Sequence, residues 1–416
     1  MPLHRAALID LFMTGVRAAD PADRVVAALR DAPLEVPDGG RLIVLAVGKA
    51  ARTMAQAALD NLPEPAVALV VTNYENAAPL PRAEVLAAGH PVPDTAGLAA
   101  ARRMLSVLSD TRPEDRVLAL ISGGGSALLP APVAGVSLAD KAAVSRLLLG
   151  AGLDITAMNA VRQHLSQLKG GGLARAAAPA PVRALILSDV IGDDLRVIAS
   201  GPTVAPIMPR ARVCAMLRDN GLWDALPDAA RAALERPEDS DRPPAAENAI
   251  IGSNAGALQA MVAVHPQAQI LDDALTGDVA DAAARIAAHA AAAPRGTPLL
   301  ALFGGETTVT LRGSGTGGRN QELALRVAME LDTALPAGRD WRFLSGGTDG
   351  RDGPTDAAGG VTDPHTMARI RAAGGDPQAL LRDNDSYRAL SLAGDLLQIA
   401  ATGTNVADLQ ILSLDA

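Results

Sequence analysis

The sequence predicts an α/β protein made of two α/β domains, the first of them Rossmann-like with a largely parallel sheet. Short apolar runs rich in β-branched residues alternate with alanine-rich helical segments along most of the 416 residues, and glycine-rich turns follow several of these runs. A chain of this length exceeds one ordinary hydrophobic core. We therefore predict domains over 1–240 and 245–416, and the proline-rich stretch 221–244 is the candidate for a surface insertion or a domain boundary. Part of the C-terminal tail is compatible with completing the first domain.

Composition argues against several classes of protein. The formal net charge is −9 and no dense block of Lys and Arg occurs, which argues against a nucleic-acid partner. No apolar stretch suggests a membrane span, and the first residues lack the apolar segment of a secretory signal. Because Cys214 is the single cysteine and cannot form an internal disulfide, we expect a cytoplasmic protein. A homodimer is compatible with the sequence, which leaves the oligomeric state open.

The predicted elements follow one another as strand and helix in both halves of the chain. In the first half we predict helices over 6–19, 21–29, 50–59, 96–108 and 136–151, and strands over 41–47, 66–72, 84–88, 116–121 and 182–187. In the second half we predict helices over 255–264, 278–293 and 319–329, strands over 249–254, 268–271, 299–303, 341–344 and 409–414, and a hairpin strand that reaches 311. Asp94 and Ser137 are suited to cap the helices that follow them.

A glycine-rich turn follows the strand 116–121 and is the strongest candidate for a binding site. It consists of Ser122, Gly123, Gly124, Gly125 and Ser126. Bare amides and two hydroxyls suit a phosphate or carboxylate, and the carboxyl edge of a parallel sheet is the usual ligand crevice. The alternative is a tight turn whose glycines only relieve crowding.

Cations lie near two further turns. Lys49 follows Gly48 at a strand-to-helix turn, where a cation suits a phosphoryl group, although a solvated lysine would look the same. A helix running on from Asn159 would put Asn159, Arg162, Ser166 and Lys169 on one face. We interpret Asn159, Arg162 and Lys169 as an anion-binding face, the alternative being ordinary solvation.

Carboxylates follow two predicted strands. Asp189, Asp193 and Asp194 come after the strand 182–187, and Asp349 lies in the glycine-rich turn after 341–344. Carboxylates near a phosphate loop suit Mg²⁺ shared with a nucleotide, and we assign Asp189, Asp193 and Asp349 as its ligands. Either Asp189 or Asp193 is also suited to accept a hydroxyl proton, and we select Asp189; capping is the alternative for Asp193 and Asp194.

Arg319 begins a predicted helix after the glycine-rich turn 313–318. Its planar fork is expected to approach an anion that also meets the free amides of that helix, and we add Asn320 to the phosphate-binding candidates. His90 precedes a proline and lacks metal-ligand spacing, so a structural turn histidine is the favoured interpretation.

Nine ordered motifs together carry a family resemblance. They lie at 47–50, 89–94, 122–127, 159–173, 187–194, 304–309, 317–322, 347–356 and 402–406. This set resembles the bacterial and archaeal glycerate 2-kinases that have a C-terminal MOFRL domain. The resemblance implies ATP- and Mg²⁺-dependent phosphorylation of D-glycerate at its 2-hydroxyl, in a cleft between two α/β domains. It also implicates Lys49 and Arg319 in catalysis. Ile191 and the pair Ala400-Ala401 depart from the family pattern without changing a charged group.

Two other functions compete with this interpretation. Hydroxypyruvate reductase, using NAD(P)H, is a name that the family has also carried, but no Gly-x-Gly-x-x-Gly turn follows the first strand. An acid-binding sensor would need an output module, and none is visible in the sequence. For a kinase, we expect the glycine-rich groups near Ser122 and Arg319 to face one another across the cleft.

Overall fold

The computed structural model describes residues 3–237, 243–336 and 338–416, which form two compact units. The N-terminal unit contains 21–188, 193–237 and 243–251, and the C-terminal unit contains 3–20, 189–192, 252–336 and 338–416. The predicted limit of the first domain at 240 lies outside the described residues, and the two predicted domain ranges stay a prediction. Among the described residues, no helix is both long and apolar enough to cross a membrane.

Helices and strands alternate along the described chain. In chain order the helices are α1 Arg5–Ala18, α2 Pro21–Asp31, α3 Ala51–Asn61, α4 Thr95–Leu108, α5 Gly125–Leu128, α6 Leu138–Gly150, α7 Ile155–His164, α8 Gly172–Ala177, α9 Arg210–Asp219, α10 Asp228–Leu234, α11 Asn254–Val264, α12 Val279–Ala292, α13 Arg319–Ala334, α14 Thr366–Ala372, α15 Pro377–Arg382 and α16 Ser386–Ala393. The strands are β1 Leu42–Val47, β2 Val67–Asn73, β3 Glu84–Ala88, β4 Arg116–Ile121, β5 Val182–Leu187, β6 Glu247–Gly252, β7 Gln269–Asp272, β8 Gly277–Asp278, β9 Leu299–Gly305, β10 Thr307–Thr308, β11 Trp341–Gly347, β12 Gly359–Thr362, β13 Leu396–Leu397 and β14 Asp408–Leu414. Short 3₁₀ helices cover Tyr74–Asn76, Ile198–Ser200 and Trp223–Ala225.

The sheet of the N-terminal unit has the strand order β3-β2-β1-β4-β5-β6. Rossmann folds have this strand order, which confirms the Rossmann-like prediction. β1 pairs in parallel with both β2 and β4, and every residue of β1 is buried, as expected for a strand covered on both faces. The register sets Val47 beside Ile121, so the turns that follow β1 and β4 begin side by side. The strand order reverses between these two strands, which is where open α/β sheets bind ligands.

Two elements belong to a different unit from the one that the sequence suggested. β6, expected to begin the second half, is the sixth strand of the first sheet. Helix α1, expected in the first domain, packs within the C-terminal unit: a Cβ added at Gly15 would lie 2.7 Å from the Leu409 side chain and 2.9 Å from Met261. Arg5 also donates to Asp395 at 3.1 Å. Helical periodicity can indicate which face of a helix is buried, but it carries no information about the partner that covers this face.

The sheet of the C-terminal unit has the order β13-β12-β11-β14-β9-β7 and is mixed. β7 runs parallel to β9, whereas β14 runs antiparallel to both β9 and β11. The predicted hairpin after β9 is wrong, because β10 pairs in parallel with β8 instead. Alternating residues such as those of 307–311 fit any strand partner, so their pattern does not identify the neighbour.

The helix predicted to run from Asn159 to Lys169 ends early. Helix α7 stops at His164, and the next residues pair with the segment before α6: Ser166 bridges Pro132, and the Gln167 amide donates to the Ala131 carbonyl at 2.8 Å. This tertiary pairing overrides the helical spacing. The predicted common helical face is therefore wrong, and Lys169 reaches its position from an irregular segment.

Candidate active site

The turns after β1 and β4 are bound to each other through Ser122. Its hydroxyl accepts a hydrogen bond from the Ala50 amide at 3.1 Å, and the Lys49 amide donates to the Gly123 carbonyl at 2.9 Å. Gly48 has a φ of 123°, and a Cβ there would lie 2.2 Å from the Ser122 hydroxyl oxygen. Ser122, expected to offer its hydroxyl to a ligand, instead uses it to join the two turns, and its side chain is buried.

Lys49 and His90 both lie beside Gly124. A Cβ at Gly124 would be 3.0 Å from His90 Cδ2 and 3.3 Å from Lys49 Cγ. Burial, with a smaller contribution from Lys49, lowers the pKa of His90. Within the described part of the chain, the Lys49 ammonium has no hydrogen-bond or ion-pair partner. The structure thus places Lys49 beside the glycine turn together with His90, which the sequence analysis treated as a turn residue.

Three predicted binding residues meet behind the turn, on a chain of polar contacts. Lys169 Nζ donates to Ser126 Oγ at 2.7 Å, and Ser126 Oγ lies 2.9 Å from Ser200 Oγ. Ser200 Oγ donates to Asn159 Oδ1 at 3.4 Å. Lys169 is 5% exposed, and burial lowers its pKa well below the ordinary value. Arg162 is partly buried, which lowers its pKa as well.

Ser200 is a site residue that the sequence analysis missed. It has a φ of 60° and stands between Ala199 at 49° and Gly201 at 64°, so three consecutive residues adopt the left-handed conformation. The side-chain amide of Gln163 donates a hydrogen bond to the Ser200 carbonyl at 3.1 Å. A non-glycine residue in this region costs about 1 kcal/mol or more and persists where the surroundings enforce it, frequently at functional sites. The sequence feature that could have indicated this turn is Ser200-Gly201-Pro202, which comes shortly after Asp193 and Asp194.

The predicted metal ligands lie on separate turns. Asp189 and Asp193 follow β5, with Asp193 in the left-handed region at a φ of 54°, and Asp349 follows β11 and accepts from the Arg351 amide at 3.0 Å. Asp194 pairs with Arg196 at 2.7 Å, a local contact that lowers the pKa of Asp194. Over 3–237, 243–336 and 338–416, no three His, Cys, Asp or Glu residues come close enough to hold a metal ion. The metal assignment stays a prediction.

In the C-terminal unit, Arg319 is held by two carboxylates. Its Nε and Nη2 donate to both oxygens of Asp408 at 2.6 and 3.0 Å, and its Nη1 donates to Glu306 at 2.6 Å. Burial alone would lower the pKa of Arg319, but the hydrogen bonds and charge of Asp408, together with the charge of Glu306, raise it above the ordinary value. The fork expected to be open to an anion is engaged by Asp408, because the β14–β9 register sets Asp408 opposite Gly305 and hence beside Glu306.

The N-terminus of α13 is also occupied from within the protein. The amides of Asn320 and Gln321 donate to the two oxygens of Asp352 at 3.1 and 2.8 Å. Asn320 is 1% exposed and accepts from the Ser345 hydroxyl at 2.6 Å. Asp352 therefore takes the place at these amides that we expected a ligand to take, and burial raises its pKa to about 7. The sequence analysis did not identify Asp352 as the acceptor for these amides because it lies more than thirty residues further along the chain.

The fold and these contacts define a class of protein. The N-terminal unit is a doubly wound α/β structure that presents a glycine turn and the cations Lys49 and Lys169 at the ligand-binding edge of a parallel sheet. Such an edge binds small anionic molecules, a property shared by many α/β enzymes.

Comparison with known proteins gives the family. Residues 7–235 match a domain of unknown function, DUF4147, and residues 299–408 match the MOFRL family. The chain is 40% identical over 384 residues to the D-glycerate 2-kinase of Thermotoga maritima, covering 89% of this chain and 90% of the relative. It is 41% identical to a putative hydroxypyruvate reductase of Agrobacterium vitis, covering 98% and 93%. A crystal structure of the Thermotoga maritima glycerate kinase superposes with a TM-score of 0.88 at 37% identity, covering 97% of this chain and 98% of that one. The chain belongs to the MOFRL family of glycerate 2-kinases, as its motifs suggested.

Proposed function

We propose that the protein is an ATP-dependent D-glycerate 2-kinase, producing 2-phospho-D-glycerate and ADP in the cytoplasm. Its relative in Thermotoga maritima carries that name over nearly the same length. The observation that carries the proposal is the position of Lys49. It lies beside Gly124 at the ligand-binding edge of the sheet, and no acidic side chain among the described residues neutralises it. Phosphoryl transfer depends mainly on such positioned cations, because the protein does little covalent chemistry.

Each proposed residue has a definite role in the reaction. The glycerate 2-hydroxyl oxygen attacks the γ-phosphorus of ATP, the bond to the β–γ bridging oxygen breaks, and Asp189 takes the hydroxyl proton. Lys49 and the amides of Gly123, Gly124 and Gly125 stabilise the charge on the transferred phosphoryl group. Arg319 contributes a second cation to that charge.

The other proposed residues bind the acceptor molecule. Arg162 and Lys169 supply positive charge for the substrate anion, and Ser126 and Asn159 supply hydrogen-bonding groups. The only role left for Ser122 is structural, since its hydroxyl is used between the two turns. Asn320 is likewise engaged inside the C-terminal unit, which favours a supporting role at the start of α13.

Mg²⁺ would be held by carboxylates from the set Asp189, Asp193 and Asp349. Hard carboxylate oxygens suit this ion, which commonly uses only one or two protein carboxylates together with substrate phosphates. Bound there, Mg²⁺ would supply charge neutralisation for the phosphates.

A reductase function is the second candidate, because the relative from Agrobacterium vitis carries that name. A dinucleotide site needs bare backbone at the turn after β1, where the pyrophosphate approaches closely. Here that turn carries Lys49, and the Cβ direction at Gly48 points onto Ser122 at 2.2 Å. The geometry therefore favours the kinase.

One pair of assays tests the proposal. With ATP, Mg²⁺ and D-glycerate, phosphorus NMR should show 2-phosphoglycerate, whereas 3-phosphoglycerate would refute the proposed regiospecificity. With hydroxypyruvate and NADH or NADPH, absorbance of the reduced cofactor should stay constant. Cofactor oxidation without any phosphoglycerate would refute the kinase and support the reductase.

A further inference from the structure

Three cations of the N-terminal unit lie close together, and we call them the cation cluster: Lys141, Arg162 and Lys169. Lys141 projects from α6 and donates from Nζ to the Leu165 carbonyl at 3.0 Å, just beyond the end of α7. Arg162 lies on α7, and Lys169 follows on the irregular segment, bound to Ser126. The pairing that ends α7 at His164 thus brings side chains of three different segments to one place.

The cation cluster has no counter-charge within the described protein. None of its three members forms an ion pair with a carboxylate of the described residues, and the Arg162 guanidinium has no hydrogen-bond partner there. Burial, followed by repulsion from Arg162, lowers the pKa of Lys141 from 10.5 to about 7. Burial, followed by repulsion from Lys141 and Arg162, lowers that of Lys169. Partly buried like charges without a partner are costly, and a bound anion would offset that cost.

The groups around the cation cluster fit a small hydroxy acid. Ser126 accepts from Lys169 and lies within hydrogen-bonding distance of Ser200, which in turn donates to Asn159, so hydroxyl and amide groups follow one another beside the cluster. Lys49 lies at the front of the glycine turn, beside His90, and is already assigned to the phosphoryl group. The cation cluster is therefore available for the other negative charge in the reaction, which is the carboxylate of the acceptor.

We propose that the cation cluster is the receptor for the substrate carboxylate, and that Lys141 is a binding residue that makes the enzyme require a hydroxy acid rather than an uncharged polyol. This inference rests on the proposed function for the identity of the acid. A carboxylate bound between the three cations restores the protonated state of Lys141, so binding takes up protons at a pH above about 7.

Other titratable and charged groups lie on α6 itself and on the elements packed against it. On α6, Asp140 accepts from the Ser137 hydroxyl at 2.7 Å, and Arg146 is exposed. Helix α6 packs against α7 and α10. On α7, the His164 ring is hydrogen-bonded to the Met208 carbonyl at 2.9 Å, and Arg162 is the other charged group. On α10, Asp228 and Arg231 pair with each other.

Isothermal titration without phosphoryl transfer tests the inference. D-glycerate is titrated into the parent, Lys141→Met, Lys141→Gln and Lys141→Arg, and also into Arg146→Met, a matched loss of charge at an exposed position of the same helix. Losing a charge-assisted hydrogen bond should raise the Kd for D-glycerate by at least about tenfold in Lys141→Met and Lys141→Gln. Lys141→Arg should retain part of the affinity, and Arg146→Met should bind like the parent. Circular dichroism verifies that each variant is folded.

Three further titrations separate the sources of negative charge. Glycerol, which lacks the carboxylate, should bind the parent and Lys141→Met equally weakly, and the Kd of ATP should stay the same in both. Repeating the D-glycerate titration near pH 8 in buffers of different ionisation enthalpy should show more proton uptake in the parent than in Lys141→Met, in which Lys169 is the remaining lysine with a lowered pKa. Parental D-glycerate affinity in Lys141→Met, or a selective loss of ATP or inorganic phosphate binding, would overturn the inference.

The result is separable from the test of the kinase. A parent that binds D-glycerate through Lys141 but transfers no phosphate would refute the proposed function and leave the carboxylate receptor intact. A working kinase whose Lys141 variants bind normally would refute the receptor alone. A parent that binds no D-glycerate, with or without a non-hydrolysable ATP analogue, would refute both.

Discussion

Replacing Arg319 tests whether this side chain stabilises the fold, takes part in the reaction, or does both. Its partner Asp408 is 1% exposed, and burial raises the pKa of Asp408 in spite of the neighbouring guanidinium. Arg319→Ala would leave that carboxylate buried without a cation. Breaking a buried ion pair costs about 3–5 kcal/mol. Because the Arg319 side chain is 35% exposed, we expect the lower end, about 3 kcal/mol, in the free energy of unfolding. Arg319→Lys keeps the charge but loses the bidentate contact and should cost about half as much.

A double-mutant cycle with Asp408→Asn isolates the pair. In the Asp408→Asn background the partner at position 408 is uncharged, so Arg319→Ala should cost only about 1 kcal/mol, giving a coupling energy of about 2 kcal/mol in urea unfolding. The kcat of the double variant should nevertheless stay about a hundredfold below that of Asp408→Asn alone if Arg319 stabilises the transferred phosphoryl group. Parental stability of Arg319→Ala would refute the structural reasoning. Recovery of kcat in the double variant, or parental kcat/KM of Arg319→Lys at both low and high salt, would refute the catalytic reasoning.

Three other substitutions test separate parts of the structure. Lys49→Met should lower kcat by about a hundredfold with an unchanged unfolding midpoint, since Lys49 has no protein acceptor among the described residues; parental kcat would make it an ordinary solvated lysine. Gly48→Ala should cost about 3 kcal/mol of stability, because the new methyl group would meet Ser122 at 2.2 Å on a backbone with a φ of 123°, and a parental midpoint would contradict this. Asp352 has a folded pKa of about 7, above its unfolded value of 3.8, so its contribution to stability is lost as the pH rises between those values. Asp352→Asn should therefore gain about 2 kcal/mol relative to the parent between about pH 5.5 and pH 8, and an equal difference at both pH values would show that Asp352 does not titrate there.

Local chemistry made the N-terminal sheet predictable. β1 is an apolar run of six residues, and β4 has five apolar residues after Arg116; both are long enough for a buried strand and are followed by turn residues, so the sequence indicated them. Helix caps were equally local: the Ser137 hydroxyl and the Asp140 carboxylate form a capping box at the start of α6, and Asp94 accepts from the Gly97 amide at 2.8 Å. The position of Lys49 at a strand-to-helix turn was equally local, whereas its contact with the glycine turn depends on the pairing of β1 with β4.

Contacts between distant residues account for what the sequence did not predict. The end of α7 depends on pairing with Ala131 and Pro132, which no helical pattern encodes. The engagement of Arg319 depends on the register of β14, eighty-nine residues away. Lys141 was overlooked because a single lysine on a helix looks solvated until its neighbours are known.

The docking of α1 in the C-terminal unit has a consequence for synthesis on the ribosome. Arg5 and its partner Asp395 are 390 residues apart, and Gly15 packs on Leu409 of β14. The helix therefore emerges hundreds of residues before the strand that covers it, and its apolar face, Leu8, Leu11, Phe12 and Val16, stays without its final partner during most of translation. In a newly made chain this apolar face is therefore exposed until β14 has been synthesised, and the C-terminal unit is complete only when the first and the last segments of the chain meet.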